Sequence, residues 1–142
     1  MKKIIFALAA ISVVLISCST YKSFVKTINV DWTSIQLRDG LEFEDAWNQA
    51  LDIVATKFEM EMISKDGSYA RSSWNYTIAS NGKYAKTYRT RVIFKFSPDK
   101  TVLKLKVEAQ SGGAGKWING YDANILQNIK SDISGVIGRT AY

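Results

Sequence analysis

The chain has no histidine and a single cysteine, Cys18. That rules out a Ser-His-Asp triad, a histidine general base and most zinc sites. What remains fits known chemistry only in part. Ser97-Pro98-Asp99-Lys100 has the S-x-x-K spacing of acyl-transfer enzymes, in which the serine is the nucleophile. Those enzymes place the motif at the start of a helix, whereas proline between two strand-like runs predicts a hairpin turn here. Gly112-Gly113-Ala114-Gly115-Lys116 has the glycines and lysine of a phosphate loop, but position 110 is Gln and Trp117 stands where Ser or Thr should follow. Glu59 and Glu61 fall on one face of an expected strand and offer paired carboxylates. Charge that guards a sheet edge is the reading their setting favours. No D-x-D-x-D calcium loop occurs. The expectation is therefore no catalytic residue, no metal and no cofactor.

Two groups have binding chemistry instead. Strand parity puts Arg71, Arg89, Arg91, Lys95, Lys104 and Lys106 on one sheet face, with Ser73, Asn75, Thr77 and Ile93 between them. Such a face is either a solvated surface whose charges block aggregation or a docking surface for an anionic partner. The second group is a glycine-rich loop over 110–121 with Lys116, Trp117 and Tyr121. Long loops are often functional, and both aromatics pair an apolar body with one polar group. The alternative is that Trp117 folds back over the open end of the sheet.

The elements that must position these residues follow from hydrophobic period. Residues 27–37 alternate as a strand, with Ile28, Val30 and Trp32 inward, then change phase to Ile35 and Leu37. Residues 41–58 predict a helix, with Phe43, Ala46, Trp47, Ala50, Leu51, Val54 and Phe58 in one stripe and Glu42, Glu44 and Asp45 near its start. Phe58, Met60 and Met62 then alternate, and Asp66-Gly67 turns into a strand over 69–79 with Ala70, Ser72, Trp74, Tyr76 and Ile78 on one face. Asn81-Gly82 marks a hairpin. Two further inner rows follow, Tyr88, Thr90, Val92, Phe94 and Phe96, then Leu103, Leu105, Val107 and Ala109. Asp122 reads as the N-cap of a second helix with Leu126, Ile129, Ile133, Val136 and Ile137 inward. The order β-α-β-β-β-β-α predicts an α+β two-layer sandwich, an antiparallel curved sheet with both helices on one face.

The amino terminus has its own pattern. Lys2 and Lys3 precede the apolar run 4–16, and Leu15-Ile16-Ser17-Cys18 closes it. This is a charged region, a hydrophobic region and a cleavage site, and it resembles a bacterial lipobox. The resemblance implies lipidation of the Cys18 thiol, cleavage before it, and fatty acylation, such as with palmitate, of the new amino terminus. The expected organisation is a lipoprotein signal peptide over 1–17, a lipidated cysteine and tether over 18–26, and one domain over 27–142. The run is shorter than the roughly 20 residues a bilayer-spanning helix needs. With one cysteine, no intramolecular disulfide can form. The formal charge of +6 favours anionic partners, and a secretion signal argues against nucleic acid. Ser19 after the cysteine, with no acidic cluster following, resembles sorting to the outer membrane, facing the periplasm.

The run Ala46-Trp47-Asn48-Gln49-Ala50-Leu51, leading through a strand to Asp66-Gly67 and Trp74, resembles the TBP-like (helix-grip) domains of bacterial envelope lipoproteins. The lipoprotein BamC of the outer-membrane β-barrel assembly machine carries such domains. The likeness covers residues 27–138 and brings no catalytic motif with it. It implies a non-enzymatic, membrane-tethered binding or scaffold module that docks other envelope proteins. The alternative is a ligand-binding lipoprotein that recognises a glycan or a lipid head group.

Overall fold

Period-two alternation is strongest where the sheet has its centre. In the computed structural model, which describes residues 23–78, 84–113 and 115–139, β6 (Tyr84–Phe96) and β7 (Val102–Ser111) pair antiparallel from Tyr88↔Ser111 to Phe96↔Leu103. Both expected inner rows are buried, Tyr88 to Phe96 on β6 and Leu103 to Ala109 on β7. Between them Ser97 to Lys100 makes the expected turn, with the Lys100 N–H donating to the Ser97 carbonyl at 2.9 Å and Pro98 at its second position. The expected signal peptide over 1–17, Cys18, the start of the expected tether and the expected Asn81-Gly82 turn lie outside the described residues.

The other strands are β1 (Phe24–Lys26), β2 (Thr33–Gln36), β3 (Met60–Ser64), β4 (Tyr69–Ser72), β5 (Asn75–Ile78) and β8 (Ile118–Asp122). They run in the order β1-β8-β7-β6-β4-β3, with β2 also on β7 and β5 also on β6, and every pairing is antiparallel. Helix α1 (Phe43–Ala55) buries Ala46, Trp47, Ala50 and Val54, and α2 (Ala123–Ile137) buries Ile129, Ile133 and Ile137. These stripes and the inner strand rows form one core. Trp47 is 2% exposed and meets the rings of Phe43, Phe94 and Phe96 at 6.1, 5.5 and 6.1 Å. Asp122 caps α2 as expected, its carboxylate accepting the Ile125 N–H at 2.9 Å. Among the described residues the fold is therefore α+β, an open antiparallel sheet of eight strands with two helices.

The structure corrects the expected elements at four places. Residues 24–26, expected as tether, form β1 on the outer side of β8. Their close approach explains Gly120, where a Cβ would lie 2.2 Å from the Val25 carbonyl oxygen. Residues 27–37 are not one strand. Ile35 and Leu37 are buried, but Ile28 is 91% exposed, and the strand is confined to Thr33–Gln36 on β7, with Leu37 bridging to Gly138. The strand over 69–79 is two strands, broken at Ser73-Trp74. Ala70 and Ser72 face the core, but Tyr76 then pairs opposite Arg89, so the facing of alternate residues has reversed. Finally, 110–121 is not a loop but a hairpin. β7 continues to Ser111 and β8 starts at Ile118. Met62, on edge strand β3 where the register shifts, and Val136, on α2, are exposed rather than inward.

Candidate functional site

The sheet face away from the helices carries the cations the sequence places there. Register sets Arg89 opposite Gln110, Arg91 opposite Glu108, Ile93 opposite Lys106 and Lys95 opposite Lys104. Arg71 of β4 lies opposite Ile93 on the same face. The face is not bare, because Ile93 is only 4% exposed.

Tryptophans interleave with the cations. The Arg89 guanidinium lies 4.3 Å from the ring centre of Trp117 and 4.6 Å from that of Trp74, and Arg91 lies 4.5 Å from the Trp74 ring. Lys106 and Lys95 lie 4.9 and 4.5 Å from the Trp32 ring. Glu108 joins the two halves. It accepts from Arg91 at 2.6 Å and from Lys106 at 2.9 Å. The result is a continuous row, Trp117, Arg89, Trp74, Arg91, Glu108, Lys106, Trp32, Lys95. Each cation–ring contact contributes about 0.5–1 kcal/mol at the surface and about 2 when desolvated.

Hydrogen bonds brace the same row. Arg89 donates to Tyr76 at 2.9 Å and to Gln110 at 2.8 Å, and the Gln110 amide donates to Asn119 at 2.9 Å. Burial pushes the Glu108 carboxyl up, but hydrogen bonds from Lys106 and Arg91, with their charges, outweigh it and hold the group below the usual carboxylate range. Glu108 is thus an anion at neutral pH. Arg71 is paired with Glu61 at 2.9 Å.

Lys104 differs from its neighbours. It makes no ion pair or ring contact among the described residues, and it faces Lys95 directly across the ladder. Like charges opposite each other destabilise a sheet. A cleft of about 340 Å³ opens beside the row, walled by residues 28–30 and Trp74 and floored by Arg91, Lys106, Glu108, Gln110 and Asn119.

The chain matches no protein-family model and no curated protein sequence. Its own geometry is therefore what bears on function.

The three residues expected in one loop, Lys116, Trp117 and Tyr121, do not converge. Trp117 is half-buried against Arg89 and belongs to the basic face. Lys116 is exposed at the hairpin tip. Tyr121 sits on β8 opposite Val25 and lines a different hollow with Val30 and Leu126. Glycines shape the tip. Gly113 has φ +94°, and a Cβ there would lie 2.6 Å from the Lys86 carbonyl oxygen. The Gly112 and Lys116 N–H groups donate to Thr87 and Gly113 carbonyls, which is a turn rather than a phosphate cradle. The S-x-x-K pair also diverges. The Ser97 hydroxyl donates to Asp99 at 2.5 Å, and the Lys100 ammonium donates to the Ser68 hydroxyl. Glu59 and Glu61 lie at the β3 edge, where Glu61 is taken up by Arg71. No cluster of three metal-ligating side chains forms among the described residues.

Sequence parity finds the cations but misses Trp32 and Trp74, which it assigns to the core rows. All three stacking tryptophans lie just outside strands, Trp32 before β2, Trp74 between β4 and β5 and Trp117 before β8, so alternation along a strand does not mark them. An arginine flanked by polar residues needs something to order it, and a tryptophan face does that.

Proposed function

We propose that this chain is a lipid-anchored, non-enzymatic binding module of the bacterial envelope, a TBP-like (helix-grip) domain that docks another envelope protein through its basic sheet face. The tryptophan–cation row carries the reading. Long cationic side chains ordinarily lose rotamer freedom on docking, and each immobilised one costs about 0.5–1.5 kcal/mol. Four cations here are already held on rings and carboxylates, so docking costs less. The Lys95–Lys104 pair supports an anionic partner, because its repulsion falls when an acidic group binds between the two.

That pair gives the cleanest test. Reversing Arg89 or Arg91 would break ring contacts, and at Arg91 would set a carboxylate opposite Glu108, so loss of binding would be confounded with loss of fold. Lys104→Glu instead turns a like-charge pair into an attractive one. Stability should hold or rise by about 0.2–1 kcal/mol, while cross-linked capture of the partner from intact envelopes falls and loses its salt sensitivity. Undiminished capture by the variant would reject the basic-face reading.

The cleft beside Glu108 favours a second reading, binding of a glycan or lipid head group, since its floor offers amides, a carboxylate and two cations. Both faces of the problem separate in one experiment. A discrete cross-linked protein supports docking, whereas retention on immobilised glycan without one supports a ligand site.

A further inference from the structure

Among the described residues an uncovered apolar patch lies at the corner where β1 ends, beside the start of β8, a few residues on from Ser23. Ile28, 91% exposed, Ile118, 46% exposed, and the half-buried Trp117 line one hollow of about 460 Å³ together with Lys26, Thr27 and Asn119. Lys116 is exposed next to Trp117 at the hairpin tip, and Val25 on β1 is exposed nearby in sequence. An isoleucine this exposed beside a second one and an indole is unlike the scattered apolar residues of an ordinary surface.

We propose that this corner rests on the bilayer, with Ile28, Trp117 and Ile118 entering the interfacial zone and Lys26 and Lys116 meeting anionic head groups. The residue types suit that zone. Apolar side chains bury among acyl chains, an indole prefers the boundary, and flanking lysines pair with anionic lipid. Chain length brings the surfaces together. Ser23 is five positions on from Cys18, which spans no more than about 18 Å. Ser23 is fixed to the domain, its hydroxyl donating to Asp122 at 2.8 Å. A lipid on Cys18 would therefore hold the β1 corner within reach of the head groups. The lipid holds the domain at the surface, and a basic apolar patch is a second contact that fixes how the domain sits on it. The anchored-module reading supplies the route to the bilayer, but the patch itself stands on the exposure of Ile28 and Ile118.

The test uses the full chain purified from membranes and reconstituted in vesicles of phosphatidylcholine and phosphatidylglycerol, with or without brominated acyl chains. Brominated lipid should quench tryptophan emission, and Trp117→Phe should remove more than half of that quenching. Ile28→Asp with Ile118→Asp should also remove it while melting unchanged and still sedimenting with vesicles. Wild-type emission indifferent to bromine, or quenching retained in the double aspartate variant, overturns the proposal. So does Trp117 protection that follows protein concentration rather than bromine, since a second copy would then cover the patch. The mass of the amino-terminal peptide reports lipidation separately. If Cys18 carries no lipid, the anchor reading fails, and quenching of the same chain added to preformed vesicles still decides the patch.

Discussion

The Ser72 hydroxyl accepts the Val92 N–H at 2.9 Å and donates to the Ser73 carbonyl at 2.9 Å. It sits at the point where β4 has ended and β5 has not begun, so Val92 finds no strand carbonyl opposite it. One hydroxyl thereby closes the gap in the ladder and lets the chain reverse its facing, which carries Trp74 from the core side to the cations. Removing it strands a buried donor. Ser72→Ala should lower stability by about 1–3 kcal/mol, read as a shift in the urea midpoint at constant slope. A midpoint that stays put would show that Val92 has another partner. This reversal is also why parity failed from Trp74 onward. Nothing in a polar serine pair announces that a side chain will stand in for backbone, and a tryptophan in an alternating run reads as core by default. Trp47, by contrast, was legible because its helical neighbours Ala46, Ala50 and Val54 are small and apolar and leave it room to bury.

Strands β6 and β7 were legible for the same kind of reason, since nine registered pairs repeat one alternation. Short strands were not. Three residues of β1 hold too little pattern to separate from a tether, and the glycines at the tip of the β7–β8 hairpin hide the strands they connect. Across β6 and β7 the clearest electrostatic element is Arg91–Glu108–Lys106. Because the folded carboxyl sits below its ordinary value, its contribution is complete above about pH 4.3 and is lost as pH falls through the lower folded value. Acid should therefore destabilise the wild type more steeply than Glu108→Gln in that window. Urea midpoints measured from pH 7 to pH 2 should converge as the carboxyl protonates. Parallel curves for the two proteins would show that Glu108 titrates alike folded and unfolded. Exposed Glu44 and Asp99 are also lowered, so only the difference between the two proteins isolates this triad.

At the scale of the molecule, no helix among the described residues is long and apolar enough to cross a membrane. In the proposed reading, attachment rests on Cys18, with the β1 corner as its auxiliary. Cys18→Ala should release the chain from membranes during a high-salt wash, because salt screens the lysines of the corner and leaves no acyl chain behind. Retention of that variant in the washed pellet would overturn lipidation as the anchor. The α+β class and the shared core were readable from the order and period of the elements. The basic face was readable as charge but not as a stacked row, since cation–ring contacts join residues from five separate segments.

The joint at Ser23 also has a mechanical meaning. Its hydroxyl is held by Asp122, its carbonyl accepts the Ala123 N–H at 2.8 Å, and the strand it begins lies antiparallel to β8. Asp122 at the same time receives the Tyr88 hydroxyl at 2.6 Å and the Ile125 N–H in the first turn of α2 at 2.9 Å. A pull along β1 from the amino-terminal side would load all the β1–β8 bonds together, in shear, rather than opening them one after another. Force arriving at that end would pass straight into the head of α2 and the middle of the sheet. The domain would then take up that tension through β1, β8 and α2 together.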